Sequence, residues 1–221
     1  MTKIKSVVCL GLALASAVAC ADNFDVTITN ITRGQTFTPF LVATHKPSIS
    51  LFTLGMPASP QLATLAEGGN TTPLKELLLA TSGVRDVQTG SGLLAPGQSI
   101  TIRVATAGNS NRISLAAMLI PTNDGFVSLN GVNGPRSDQT VVYAAPAYDA
   151  GSEANDELCA HIPGPVCGGE GVSPNGTGEG FVHIHAGIHG IGDLVPSDRD
   201  WRNPVATVSI TRVHDSDHAG E

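Results

Sequence analysis

Apolar and polar residues alternate along three separate stretches of the chain. Phe24, Val26 and Ile28 are interleaved with Asp25, Thr27 and Thr29; Ile100, Ile102 and Val104 repeat the pattern after a Pro96-Gly97 turn; Ala206, Val208 and Ile210 repeat it near the end. Successive side chains of a strand point to opposite faces, so each stretch predicts a strand with one buried face. Ser114 to Ile120 is instead a short continuous apolar run, which predicts a central strand covered on both sides. Helix signals occur twice. Ser59 is the expected cap of a helix over Pro60 to Glu67 before Gly68-Gly69, and Thr72 the expected cap of one over Pro73 to Ala80 before Gly83. Leu74, Leu77 and Leu78 give the second helix an apolar face. With 25 glycines and 14 prolines punctuating many short segments, the expected fold is all-β: an antiparallel β-sandwich with two short helices and long loops.

The amino terminus changes the picture of where this fold works. Lys3 and Lys5 precede an apolar run from Val7 to Ala19 that closes in small residues and is too short to span a bilayer, so residues 1–21 read as a signal peptide. The Ala19-Cys20-Ala21 site would leave Asp22 first; lipid anchoring at Cys20 is the less favoured alternative. No later segment is apolar enough to cross a membrane, which gives a domain at 22–213 and a flexible tail at 214–221. Cleavage removes two of the 12 basic residues and none of the 19 acidic ones, so the exported part is more negative than the −7 of the whole chain. Such a chain repels phosphate backbones, and nucleic acid is excluded as a partner. Cys9 and Cys20 belong to the signal and its edge, leaving Cys159 and Cys167 as the pair expected to form a disulfide in an oxidising compartment. They lie within a Gly-, Pro- and acid-rich stretch from Tyr148 to Gly180, read as a braced surface loop.

That loop carries the first candidate chemistry. Asp149, Glu153, Asp156 and Glu157 crowd around Gly151, where a bend lets Asp149 and Glu153 converge on one hard divalent ion. Thr122-Asn123-Asp124-Gly125-Phe126 is a second oxygen-rich turn. On residue types alone, both also fit solvated turns with side-chain to backbone bonds. A catalytic nucleophile finds little support, because there is no Gly-x-Ser-x-Gly elbow and the paired thiols would be oxidised. No phosphate-binding loop is present: Gly168-Gly169-Glu170-Gly171 lacks the lysine and the strand-to-helix context.

Asn123-Asp124-Gly125-Phe126-Val127 followed by Tyr148-Asp149-Ala150-Gly151-Ser152-Glu153 resembles the paired acidic motifs of the F-spondin amino-terminal domain. The resemblance begins at Ile28-Thr29-Asn30-Ile31-Thr32, with Gln35, Phe37 and Pro39, and extends through Trp201-Arg202-Asn203-Pro204-Val205-Ala206. The chain looks closest to stand-alone bacterial relatives that lack the adhesive repeats of the animal proteins. The resemblance implies an antiparallel β-sandwich related to calcium-dependent membrane-binding sandwich domains, with a calcium ion held by three acidic side chains. Carried over, these fall on Asp124, Asp149 and Glu153; Glu153 stands where the family has aspartate, one methylene longer.

A second cluster, Val182-His183-Ile184-His185-Ala186-Gly187-Ile188-His189, has no counterpart in the animal pattern. Residues two apart on a strand share a face, so His183 and His185 can address one ion, with His189 following the Gly187 turn and His45 as a further donor if the fold brings it near. Imidazoles suit copper, zinc, nickel or iron rather than calcium. Each histidine also fits an ordinary half-buried position bonded to backbone. The expected function is an exported calcium-binding module for extracellular or cell-envelope binding or adhesion, not an enzyme. The alternative is a copper- or zinc-binding protein, or small metalloenzyme, built on His183, His185 and His189.

Overall fold

The computed structural model describes residues 22–173 and 177–214. The expected signal peptide, with Cys20, and the tail beyond His214 lie outside the described residues. Among the described residues, eleven strands form two antiparallel sheets. In chain order the elements are β1 (Asp22–Asn30), β2 (Thr36–Phe37), β3 (Leu41–His45), α1 (Pro60–Gly68), α2 (Thr72–Ala80), β4 (Val84–Thr89), β5 (Ser99–Thr106), β6 (Arg112–Ile120), β7 (Gly125–Asn133), β8 (Thr140–Ala145), β9 (Ala147–Asp149), β10 (His183–Ile184), α3 (Pro196–Arg199) and β11 (Ala206–His214). One sheet runs β5-β1-β11-β8; the other runs β10-β9-β7-β6-β3-β4, with β2 paired to β6.

Each alternating stretch forms the strand its period predicts. Phe24, Val26 and Ile28 of β1 face the inter-sheet core with Ile102, Val104, Val208 and Ile210. On the outer face, Thr27 and Thr29 pair their hydroxyls with Thr101 and Ser99, and Asp25 takes a two-pronged bond from Arg103. The apolar run lies in β6, which is buried on both faces as expected. Its Ile113, Leu115, Ala117 and Leu119 enter the inter-sheet core, while Ala116 turns to a second cluster with Leu62 and Leu65 of α1, Leu74 and Leu78 of α2, Phe52 and Phe126. The helices thus form a third layer over the larger sheet.

Three details differ from the sequence reading. Residue Ser59 caps α1 by accepting from the N–H of Leu62, but the N–H of Thr72 is met by Asn70 Oδ1, so the second helix starts at Thr72 rather than being capped by it. A third helix, α3, is a single turn of four residues, too short to leave a periodic apolar signal. Strand β11 reaches His214, which the sequence reading assigned to the tail; its ring pairs with Asp22 at 2.8 Å and Asp138 at 2.9 Å, and those contacts hold the residue to the sheet.

The expected disulfide forms between Cys159 and Cys167. Both sulfur-bearing residues pack on the inter-sheet core, and Gly168, Gly169 and Glu170 return N–H bonds to Gly164, Ile162 and Ala160. The long loop is therefore braced at its centre.

Phe126, two residues after Asp124, anchors the second cluster edge-on to Phe52 at 5.3 Å and beside Tyr148 at 5.6 Å. Phe126→Ala empties a fully buried ring site, and denaturant unfolding should record a loss of about 3–5 kcal/mol, with Phe126→Leu losing clearly less.

Candidate metal centre

The sheet register brings the two acidic motifs together. Strand β9 pairs with β7 so that Asp149 lies opposite Gly125, next to Asp124, and with β10 so that Asp149 also lies opposite His183. The turn into β7 is closed by Thr122, whose hydroxyl accepts the N–H of Gly125 at 3.0 Å. Asp124 is fully buried there. Its Oδ2 accepts from Ser152 N at 2.7 Å, Ser152 Oγ at 3.2 Å and Glu153 N at 3.1 Å, while Oδ1 is buried without a hydrogen-bond partner.

Asp149 is equally buried, at 1% exposure. Its Oδ1 accepts from Gly151 N and its Oδ2 from Asn155 Nδ2, each at 2.7 Å. The tight bend between the motifs needs glycine: Gly151 has φ 63°, and a Cβ there would lie 2.3 Å from the carbonyl oxygen of Phe181. Gly178 fits against the same bend, where a Cβ would meet Gly151 O at 2.5 Å. These close approaches lay residues 178–181 across the acidic turn and bring Glu179 to Asp149.

Burial, reinforced by the charge of Asp149, pushes the Asp124 carboxyl up to about 8. Burial likewise raises Asp149 and Glu153. A low-dielectric pocket with two adjacent carboxylates favours a proton or a cation between them.

Glu153 joins the pair through its backbone N–H, but its carboxylate accepts from Ser173 Oγ at 2.9 Å. The N–H of Ser173 is bonded in turn to Glu67 Oε2 at 2.8 Å, so a helix residue that sequence reasoning passed over faces Glu153 through Ser173. Asp156 and Glu157 are satisfied without a metal ion. Asp156 accepts from Asn123 Nδ2 and Leu158 N and pairs with His161, and Glu157 accepts three backbone N–H groups, from His189, Gly190 and Ile191.

The three candidate histidines take separate partners. His183 lies 3.7 Å from Asp149 Oδ1, and His189 lies 3.8 Å from Glu157 Oε1. The ring of His185 is packed on Trp201, with centroids 4.9 Å apart, and its Nδ1 accepts from Gly187 N. Its Nε2 is buried without a partner, and burial, together with His183 and His189, lowers its pKa to about 4. His45 is spent within the core, on Lys46 O and Ser114 Oγ, each at 2.8 Å. Among the described residues, the trio whose ligand atoms all lie within 4.8 Å of one another is Asp149, Glu179 and His183. Glu179 was not singled out from sequence; its only signal is an acid set between two glycines four positions before His183.

A family model described as Spondin_N matches residues 26–155, more than half of the 221-residue chain, and the chain belongs to the spondin amino-terminal family. No curated protein matches it. The spondin domain and the disulfide point to an exported, extracellular-type module, and among the described residues no helix is long and apolar enough to cross a membrane.

The buried pair gives a pH signature of definite sign. An unfolded Asp124 ionises near 3.8, whereas the folded one keeps its proton to about 8. Between those values the folded state binds more protons, so metal-free stability falls as pH rises, by up to about 1.4 kcal/mol per pH unit. His185 has the opposite sense, losing stability below 6.5 as the unfolded ring protonates, and is silent above it. Metal-free wild-type protein should therefore melt at progressively lower temperature from pH 6.5 to 8, and Asp124→Asn, which has no proton to lose, should flatten that decline.

Proposed function

We propose that this spondin-family chain is an exported calcium-binding β-sandwich module, acting in extracellular or cell-envelope binding and adhesion rather than in catalysis. The observation that carries the calcium reading is Asp124 Oδ1, a carboxylate oxygen buried without a partner beside a second buried carboxylate. Leaving such an atom unsatisfied costs free energy, and a divalent ion removes the cost by supplying the missing positive charge. The donors fit the ion. Calcium takes hard oxygen ligands, and the pocket offers the Asp124 and Asp149 carboxylates, with Glu153 on the same turn.

In this reading the ion ties the β7 turn to the loop after β9. Asp124 already holds that loop through the N–H groups of Ser152 and Glu153; neutralising its other oxygen stabilises the same connection. The surface formed by the loop is then set by calcium, which is how the module would present a defined face to an extracellular partner.

Ligand binding to the native state alone raises stability by about 2.7 kcal/mol when free calcium exceeds its Kd a hundredfold. Thermal melts in excess calcium and in chelator should differ accordingly for the wild type, and Asp149→Asn should lose most of the difference. Coincident wild-type midpoints in the two conditions would remove the calcium reading.

A further inference from the structure

We infer that Asp149, Glu179 and His183 form a site for a divalent transition ion of the zinc class, on the rim of the acidic pocket. The site shares Asp149 with the calcium reading but stands without it, since the other two donors play no part there. Both also lie beyond residues 26–155, the span over which the family model matches.

Three separate segments supply the donors. Asp149 ends β9, His183 begins β10, and Glu179 comes from the loop between Cys167 and β10. Asp149 and His183 are directly opposed in register, which places their side chains on one face of the antiparallel pair. Glu179 is brought in from the side by the close packing of Gly178 on Gly151 and by the N–H of Gly180 bonding Gly151 O at 2.8 Å. One ligand atom from each of the three residues then lies within 4.8 Å of the others.

Both Asp149 oxygens accept bonds from outside the trio, from Gly151 N and Asn155 Nδ2, and the three side chains are not hydrogen-bonded to one another. His183 Nδ1 is 3.7 Å from Asp149 Oδ1, too long for a hydrogen bond, and the nearer contact of that nitrogen is Phe181 O at 3.2 Å. Asn155 Nδ2 reaches Asp149 at 2.7 Å and Glu179 only at 3.4 Å. Among the described residues neither acid is paired with Lys or Arg. Behind Asp149, at the turn next to Gly125, Asp124 carries the buried oxygen that lacks a partner.

The donor types choose the ion. An imidazole with two carboxylates is a mixed nitrogen and oxygen set, which zinc and its neighbours accept and which calcium, a taker of oxygen ligands, does not favour. The depth gradient suits exchange with solvent: Asp149 is buried, His183 is half-buried and Glu179 is exposed. Three protein donors leave a tetrahedral ion one position open for water or for a donor from a partner.

The test is titration of metal-free, full-length mature protein with zinc chloride against a chromogenic chelator, for the wild type, His183→Gln, Glu179→Gln, His189→Gln and Glu153→Gln. Melting in chelator checks that each variant is folded, which the positions of His183 and Glu179 at the rim favour. The inference predicts one zinc per chain, weakened by about tenfold or more in His183→Gln and Glu179→Gln, a loss at least as large as that seen for outer-shell partners of metal ligands. His189→Gln and Glu153→Gln should match the wild type. Absence of a stoichiometric zinc, indifference to His183→Gln and Glu179→Gln, or equal loss in His189→Gln would each overturn it. The calcium-dependent melting shift, measured on His183→Gln, reports the other site separately, so either can fail alone.

Discussion

The carboxylate of Asp124, in the turn into β7, accepts through Oδ2 the N–H groups of Ser152 and Glu153 from the far side of a tight bend. Those bonds fix the acidic loop to the larger sheet, and they need an acceptor that is fully desolvated. The same desolvation leaves Oδ1 without a partner and sets it beside the buried Asp149. A lone buried carboxylate is costly and two together are more so, so the loop can be held this way only with a proton or a cation in the pocket. Structure and chemistry meet at that atom.

The surrounding scaffold gives the neighbouring acids Asp156 and Glu157 protein partners of their own. Glu157 sits at a positive φ of 56° and turns its carboxylate into three successive N–H groups of residues 189–191. Asp156 is held by an amide side chain, a backbone N–H and His161. The disulfide pins the middle of the loop to the inter-sheet core, and the Trp201 ring holds His185 inside it. Among the loop and turn carboxylates, the oxygen left buried without a partner is Oδ1 of Asp124, beside Asp149, with Glu153 turned toward Glu67.

The strands of the sandwich were legible because burial on one face writes a period of two into the sequence, as in Phe24, Val26 and Ile28, and burial on both faces writes an unbroken run, as in Ser114 to Ile120. The first two helices were legible from Ser59, the prolines and the Gly68-Gly69 stop, although α2 has Thr81, not a glycine, at its C-terminal cap. The brief strands β9 and β10 were not, because three and two residues are too few to show a period, yet their pairing is what sets His183 opposite Asp149. The separation of the four loop acids was also hidden, since the backbone amides that satisfy Glu157 have no residue signature. The shared strand face expected for His183 and His185 presumed a longer strand; β10 stops at Ile184, and His185 turns into the core on Trp201.

The most direct test of the central claim is a crystal structure of the protein grown in excess calcium. It should contain one ion within about 2.3–2.6 Å of Asp124 Oδ1 and of an Asp149 carboxylate oxygen, the range normal for calcium and oxygen. An ordered pocket at saturating calcium with no ion beside Asp124 Oδ1 would contradict the account.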